Sequence, residues 1–329
     1  MDKITKQAGR IDVHHHFLSP GYVDRWGWDR LGRMSAAGQV ARWNVDLSLE
    51  LMALAGVATS IMSISSPGWL PGDADLVTAM CRETNEAAAT LVRDHPGRFG
   101  MFGNLPMPHL DATLTEIAYT LDELGADGVS LFTNYAGRHL GDPAFDPVME
   151  ELSRRGAVVF VHPITPPGGK SLAIVSESTL DYPFETTRAI VNLLYHGVPL
   201  RYPGIRFIFS HAGGVAPYLA GRIAAFSDLN PKFQQRGAAG VIPALRGFWY
   251  DVTQSVNPST FAGLRAVVPP DKLLFGTDVP FARKEQISLT LRDLPQVGLR
   301  QTELEGIDRA NALVLFPRLR EDRIATPAA

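Results

Sequence analysis

Apolar residues follow two alternating patterns along the chain. Short runs rich in β-branched and aromatic residues, such as AVVFVH at 157–162, are separated by longer stretches with apolar residues at helical spacing, such as DATLTEIAYTLDELGA at 111–126. The short runs are typical of parallel strands buried on both faces, and the longer stretches predict amphipathic helices. The alternation from one end to the other therefore indicates repeated βα units around a parallel sheet.

Eight runs are predicted as strands, and eight is the number that closes a (β/α)8 TIM barrel. No glycine-rich dinucleotide fingerprint follows the first run, which favours a closed barrel over an open doubly wound sheet. We expect one barrel domain over residues 1–329, with mouth loops at about 18–44, 65–73 and 164–181 and a loosely held tail from about 318. The predicted strands are 10–17, 57–64, 99–105, 128–132, 157–162, 205–211, 248–253 and 273–278.

Composition excludes several classes of protein. Hydrophobic residues make up 45% of the chain, charged residues 20%, and the net charge is −3 without a basic run, so no nucleic-acid partner is expected. Cys81 is the only cysteine and lies in a predicted helix, where we expect an inert packed thiol. The sequence shows neither an apolar run of about 18 residues nor the order of a signal peptide, so we expect no membrane partner and a cytoplasmic enzyme.

Ionisable side chains stand at the predicted strand ends. His14 and His16 lie on one face of the first strand because residues alternate sides, while His162, His211 and Asp278 end the fifth, sixth and eighth strands. An ionisable group at the end of a buried strand is costly unless it is compensated, and a divalent cation compensates it. The alternative for each histidine is a core side chain bonded to backbone, and for the aspartate a helix cap. Nitrogen and carboxylate ligands without thiolates suit Zn2+, Mn2+ or Fe2+.

The motifs that carry these residues resemble the amidohydrolase superfamily. IDVHHH, VHP, SHAGG and FGTD stand in this order on strands one, five, six and eight. They are similar to the branch that contains aminocarboxymuconate semialdehyde decarboxylase and the resorcylate and salicylate-type decarboxylases. The stretch DYPFETTRAIVNLLYHGVPLRYPGIRFIFSHAGG is similar to 6-methylsalicylate decarboxylases. The resemblance implies an amidohydrolase-type barrel in which His14, His16, His162 and Asp278 are the metal ligands and His211 is an unliganded acid/base.

The resemblance also implies an activity. We expect a metal-dependent nonoxidative decarboxylase of a small ortho-hydroxy aromatic acid, 6-methylsalicylate or a relative, that releases CO2 and a phenol and forms a homodimer or homotetramer. Strand four, GVSLFT, has no lysine for a carbamylated bridge, which favours one metal ion, Zn2+ first and Mn2+ second. Asp278, His211 and a metal-bound water all stay open as the proton donor.

Two other functions remain open. The same ligands would let the metal lower the pKa of a bound water, as in a hydrolase of a lactone, ester or ring-cleavage product. A barrel that has lost catalysis is the third interpretation, but none of the ligands is missing. The products separate the first two interpretations, since only decarboxylation yields CO2.

Loop residues are expected to select the substrate. Aromatic side chains at the mouth favour a flat ring, although each alone is also consistent with loop packing, and an arginine there pairs either with a carboxylate or with a surface acid. Asp251, at the end of strand seven, either reaches the pocket or caps a turn. Arg222 is expected to have a structural or subunit-contact role. The predicted substrate contacts are Phe17, Trp28, Arg42, Trp43 and Phe281.

Overall fold

Ten strands were found in the computed structural model, which describes residues 9–35, 38–68, 73–169, 171–229 and 240–320. Eight of them pair in parallel in the order β1-β2-β3-β4-β7-β8-β9-β10, and β5 and β6 form a short antiparallel hairpin. The strands are β1 Arg10–His16, β2 Val57–Ser63, β3 Phe99–Asn104, β4 Gly128–Phe132, β5 Asn134–Tyr135, β6 Arg138–His139, β7 Val158–His162, β8 Arg206–Phe209, β9 Trp249–Asp251 and β10 Leu273–Leu274.

Backbone hydrogen bonds between β1 and the chain that follows β10 close the sheet. The N–H of Val13 donates to the carbonyl of Phe275 over 3.0 Å, and that of His16 donates to the carbonyl of Val279 over 2.6 Å. His15 forms an isolated parallel bridge with Val279 as well. The predicted (β/α)8 barrel is therefore confirmed.

Helices cover the outside of the barrel and short helical turns connect them. Cys81 is buried in the longest helix, as predicted. No described helix combines the length and the apolar character that a bilayer crossing requires. The α-helices are α1 Pro20–Trp26, α2 Trp28–Met34, α3 Val45–Ala55, α4 Ala74–Asp94, α5 Leu110–Ala118, α6 Asp146–Arg154, α7 Asp181–Tyr195, α8 Val198–Arg201, α9 Ala216–Asp228, α10 Val241–Gly247, α11 Pro258–Val267, α12 Lys284–Asp293, α13 Gln301–Glu305 and α14 Ala312–Leu315.

Apolar side chains fill the interior of the barrel at the end away from the carboxyl ends of the strands. The rings of Phe102 and Phe160 stack with their centroids 5.3 Å apart, and Phe316 packs against Phe102 at 5.9 Å. Burying one such ring stabilises the fold by roughly 1.5–3 kcal/mol. With this apolar plug in the barrel interior, the carboxyl ends of the strands are the place where functional polar side chains are expected to gather.

The structure differs from the sequence expectations at several element ends. Regular pairing in the eighth barrel strand stops at Leu274 instead of 278, and Asp278 itself has a left-handed φ of 63°. A Cβ at Gly276 would collide with Thr253 and His14, so glycine lets the chain pass close to the first strand.

The mouth and the tail also differ from expectation. The stretch 18–44, expected to be irregular, contains the two short helices α1 and α2. At the chain end, both oxygens of Asp127 accept hydrogen bonds of 2.6 Å from Arg318, and Leu319 is buried. The predicted loose tail therefore concerns residues 321–329, which lie outside the described part of the chain.

Candidate metal centre

Four side chains converge at the carboxyl end of the barrel. One potential ligand atom from each of His14, His16, His162 and Asp278 lies within 4.8 Å of the other three. All four residues are buried, and they come from β1, from the end of β7 and from the segment after β10. The residues that the sequence predicted as metal ligands are thus brought together.

The spacing of these atoms fits a shared cation. The Nε2 atoms of His14 and His16 are 3.1 Å apart, and Oδ1 of Asp278 lies 3.4 and 3.2 Å from them. Atoms that each bind one ion at about 2.1 Å are expected about 3.0–3.4 Å apart. A carboxylate and imidazole nitrogens form a donor set that suits a divalent metal.

Hydrogen bonds behind the cluster leave the inner nitrogens free for a ligand role. Nδ1 of His14 lies 3.0 Å from Oδ2 of Asp251, and Nδ1 of His162 lies 2.8 Å from the carbonyl oxygen of Pro163. Both oxygens are acceptors, so each Nδ1 carries a proton and Nε2 is the nitrogen that would bind a cation. In His14 this nitrogen faces Nε2 of His16, an arrangement that a cation between them would stabilise.

The charge of the cluster also favours a cation. Burial alone would lower the pKa of His14, but the carboxylates of Asp251 and Asp278 raise it to about 10. Burial would raise the pKa of Asp278, but hydrogen bonds from His14 and His16 hold it well below its ordinary value. Two buried carboxylates therefore attract positive charge to this point, which either a proton or a metal ion supplies.

Asp12 fixes the end of the first strand beside the cluster. Its Oδ1 accepts the N–H of His14 over 3.0 Å and that of Thr277 over 3.1 Å. Its Oδ2 accepts the Thr277 hydroxyl over 2.6 Å and lies 3.1 Å from Nδ1 of His15. The sequence analysis did not assign this residue, although an aspartate inside an apolar strand was a visible signal. Its bonds join the strand of His14 to the segment of Asp278.

His211 stands beside the cluster without being part of it. Its ring centroid lies 4.9 Å from that of His14 and 5.9 Å from that of His162, and its Nδ1 has no hydrogen-bond partner among the described residues. Burial lowers the pKa of His211 to about 4, so the ring is neutral near pH 7. Its φ is 53°, and its N–H donates to Oδ1 of Asp251 over 3.1 Å. This placement agrees with the predicted unliganded acid/base, whose role stays a proposal.

Asp251 lies behind the metal cluster and also caps a turn. One of its oxygens holds a predicted ligand, His14, and the other accepts the backbone N–H groups of His211 and Thr253. Asp251 is not among the described residues that line the cavity, so of the two alternatives left open by the sequence the structure shows the turn cap, and Asp251 contacts the site through His14.

A narrow cavity lies over the cluster. Phe281 borders it beside His16 and Tyr182 borders it beside His162, with centroid distances of 5.6 and 6.3 Å. Gln254 donates from Nε2 to Oδ2 of Asp278 over 2.8 Å. The lining residues are Ser35, Ser65, Ser66, His162, Ser178, Tyr182, His211, Gln254, Asp278 and Phe281.

Phe281 is the predicted substrate contact that lines this cavity. Phe17 is fully buried and packs edge-on against Trp43 at 6.0 Å, Trp28 packs half-buried against the core, and Arg42 is exposed. The assignment of these four as substrate contacts stays a prediction.

The lining serines, Tyr182 and Gln254 were not found from the sequence. Gln254 follows the seventh strand by a few residues, so its position was a usable signal. Tyr182 begins a helix after a long irregular stretch, and no local pattern places its hydroxyl in the cavity.

Arg222 is exposed on α9, where its guanidinium lies 4.7 Å from the ring centre of Phe226. This position is away from the described cavity lining and is consistent with the predicted structural or subunit-contact role.

The chain belongs to the amidohydrolase family, whose sequence model matches residues 11–318. It is 37% identical over 318 residues to a 6-methylsalicylic acid decarboxylase of Penicillium expansum, covering 94% of this chain and 97% of that protein. It is 35% identical over 324 residues to the 6-methylsalicylic acid decarboxylase acuB of Aspergillus aculeatus, covering 94% and 97%.

A solved structure shares the fold. The dihydroxybenzoic acid decarboxylase of Polaromonas sp. JS666, with bound manganese and the inhibitor 2-nitroresorcinol, superposes with a TM-score of 0.79 at 20% identity and covers 97% of this chain and 99% of its own. The resemblance predicted from the motifs is confirmed at the level of the family and of the fold.

Proposed function

We propose that the protein is a metal-dependent nonoxidative decarboxylase of a small ortho-hydroxy aromatic carboxylic acid, 6-methylsalicylate or a close relative, and that it releases CO2 and a phenol. The observation that carries the proposal is the convergence of His14, His16, His162 and Asp278 under a cavity bordered by two aromatic rings. The two fungal 6-methylsalicylic acid decarboxylases, similar over nearly their whole length, support the substrate class.

His14, His16, His162 and Asp278 would hold the cation, which would supply Lewis-acid chemistry to the acidic end of the substrate. Zn2+ is our first choice and Mn2+ our second, because both accept nitrogen and carboxylate ligands. We propose one ion per chain. Manganese in the Polaromonas structure supports Mn2+ as an alternative.

The residues of the chain orient the ring and move one proton. Phe281 and Tyr182 border the place of a flat ring, and the neutral imidazole of His211 faces the same space. The ring carbon gains a proton, its bond to the carboxylate breaks, and the bonding electrons stay on the ring as CO2 leaves. Because Asp278 is ionised at rest, we propose that it passes this proton on from His211, which takes one up from solvent; both residues line the cavity.

The oligomer in this proposal is a homodimer, or a tetramer built from dimers. Its support is an exposed face of α9 and the turn after it, where Tyr218, Phe226 and Leu229 are 84%, 53% and 76% exposed. An exposed apolar face of this kind marks a contact surface. The cytoplasmic location expected from the sequence stays a prediction.

The test is product analysis of the Zn- and Mn-loaded protein on a panel of ortho-hydroxybenzoates that includes 6-methylsalicylate and resorcylates, in 18O-labelled water. Decarboxylation gives CO2 and a phenol whose ring oxygen carries no label. A hydrolase would leave the hydroxybenzoates intact and place the label in a new acid when lactones or esters are supplied. Metal-loaded protein that releases no CO2 from any member of the panel would contradict the proposal.

A further inference from the structure

Two buried hydroxyl groups in the cavity lack a well-formed hydrogen bond to any described residue. Ser66 is 1% exposed and Tyr182 is 5% exposed, and both side chains line the cavity over the metal cluster. Within the described part of the chain, Oγ of Ser66 and the phenolic oxygen of Tyr182 have no partner of normal geometry and only a poorly aligned contact with each other. Leaving a buried hydroxyl unpaired is unfavourable, so such a pair in a cavity points to a ligand that completes it.

The two hydroxyls are neighbours. Burial raises the pKa of Tyr182, and a hydrogen-bonding contact with the Ser66 hydroxyl opposes this rise. The ring of Tyr182 stands beside His162, one of the four clustered side chains, at a centroid distance of 6.3 Å. The pair therefore lies at the wall of the cavity next to the metal cluster.

The surrounding chain holds this wall in place. The Tyr22 hydroxyl donates to the carbonyl of Ser65 over 2.8 Å and accepts the N–H of Gly68 over 3.2 Å. Nε1 of Trp26 donates to the carbonyl of Gly68 over 3.1 Å. Helix α1 thus fixes the turn that carries Ser66, and the hydroxyl is preorganised without a ligand.

Among the described residues that line the cavity, none is lysine or arginine, so a carboxylate bound there depends on neutral donors. A carboxylate that gives one oxygen to a cation keeps a second oxygen that needs hydrogen-bond donors. Ser66 and Tyr182 can supply two donors to that oxygen, whereas the methyl group of a methylsalicylate cannot accept a hydrogen bond.

We propose that the hydroxyls of Ser66 and Tyr182 bind the carboxylate oxygen of the substrate that is not on the cation, and thereby select an aromatic monocarboxylate with its acid group next to His162. This inference rests on the proposed function. The carboxylate loses its negative charge as CO2 forms, so these hydrogen bonds stabilise bound substrate at least as much as the transition state.

The kinetic consequence separates this role from proton transfer. In Tyr182→Phe and Ser66→Ala, KM for 6-methylsalicylate rises about tenfold, while kcat stays the same or increases. A fall in kcat at unchanged KM would assign the hydroxyls to proton transfer and overturn the proposal.

A stability measurement tests the role of the Ser66 and Tyr182 hydroxyls independently of catalytic activity. Because the two hydroxyls have only their poorly aligned contact with each other before substrate binds, both substitutions raise the Tm of the metal-loaded, ligand-free protein, by about 2–4 °C for each 1 kcal/mol gained. The matched control is Tyr135→Phe, which removes a phenolic oxygen that accepts the N–H of Phe132 over 2.9 Å and so lowers Tm. A lower Tm in Tyr182→Phe would show a hydroxyl already satisfied by the fold and would contradict the proposal.

Binding of two unreactive probes to the Mn-loaded protein completes the test. In 3-methyl-2-nitrophenol a nitro group replaces the carboxylate, and 3-methylphenol lacks it. Calorimetry should show about tenfold weaker binding of the nitro compound to Ser66→Ala and Tyr182→Phe, with unchanged binding of 3-methylphenol and of both probes to Tyr135→Phe. Equal losses of affinity for both probes, or no loss of affinity for either, would overturn the proposed role of Ser66 and Tyr182.

The outcomes distinguish the two proposals. Wild-type protein that decarboxylates the panel while the variants bind both probes normally leaves the proposed function standing and removes the role of the pair. Wild-type protein that binds neither probe and releases no CO2 contradicts both.

Discussion

Asp251 joins the metal cluster to the proposed acid/base. Its Oδ2 lies 3.0 Å from Nδ1 of His14, and its Oδ1 accepts the backbone N–H of His211 over 3.1 Å. Both carboxylate oxygens are thus committed, one to a predicted ligand and one to the turn that presents His211. A single buried carboxylate therefore fixes the orientation of two functional side chains.

Replacing Asp251 should weaken the metal site without removing a ligand. In Asp251→Asn the proton on Nδ1 of His14 loses its charged acceptor, so we expect metal affinity to fall about 10- to 100-fold. Competition with a chelator measures the dissociation constant for Mn2+. The control is Asp308→Asn, which removes a partly exposed partner of Arg10 and should leave the constant unchanged. Unaltered affinity in Asp251→Asn would contradict its assigned role.

His211→Ala should separate metal binding from turnover. The ring lies beside the cluster and is not among the four convergent residues, so metal content should stay at the wild-type level. Loss of an acid/base should lower kcat by about 10²–10⁴-fold. Metal analysis and CO2 release are measured on the same sample, with His196→Ala as the control. Wild-type turnover in His211→Ala would remove His211 from the mechanism.

Gln254 should support the carboxylate of Asp278. Its amide donates to Oδ2 over 2.8 Å, so Gln254→Leu should lower metal affinity by about tenfold. Gln254→Glu should lower it further, because a second carboxylate replaces the donor beside Asp278. Competition with the chelator ranks the metal affinities of the wild type and the two variants. Tighter binding in Gln254→Glu would instead mean that this side chain lies close enough to become a ligand.

Glu185 should stabilise the packing of helix α7 against the hairpin of β5 and β6. Its buried carboxylate lies 3.1 Å from Nε2 of His139 and accepts bonds from Arg188 and Asn134 over 2.7 and 2.9 Å. Burial would raise the pKa of Glu185, but these partners hold it below its ordinary value. The stabilisation is therefore present above the unfolded pKa of about 4.3 and is lost as the pH falls through the lower folded value.

Urea unfolding of Glu185→Gln tests this contribution to stability. The free energy of unfolding should drop by about 1–3 kcal/mol at pH 7, and the difference from wild type should shrink below about pH 4 as the native carboxyl takes up its proton. The pair of Arg300 and Glu303 at the surface provides a control, since Glu303→Gln should leave the free energy of unfolding nearly unchanged. A difference that is constant down to pH 3 would be inconsistent with a pKa effect.

The barrel and the metal cluster were predictable because their signals are local. Strands buried on both faces require continuous apolar runs, and the change from an apolar run to His162 or Asp278 marks the point where a strand reaches the mouth. His14 and His16 follow from the two-residue repeat of a strand. The end of the last strand was not predictable, since the turn at Asp278 depends on contacts with the first strand.

The rest of the site depends on contacts between distant segments. The bond between His14 and Asp251 spans 237 residues, and no local pattern shows which strand-end acid lies behind which histidine. Ser66 lines the cavity because Tyr22 holds its turn, and Tyr182 arrives from a helix that follows a long loop. Side-chain packing between loops therefore set the part of the site that sequence patterns missed.

A metal titration tests the central claim most directly. Metal-free protein is titrated with Mn2+ or Zn2+ while CO2 release from 6-methylsalicylate is followed. The account predicts no release without metal, a rise in proportion to added metal, and a plateau at one ion per chain. Full turnover by metal-free protein, or a fully loaded site that releases no CO2 from any ortho-hydroxybenzoate, would contradict it.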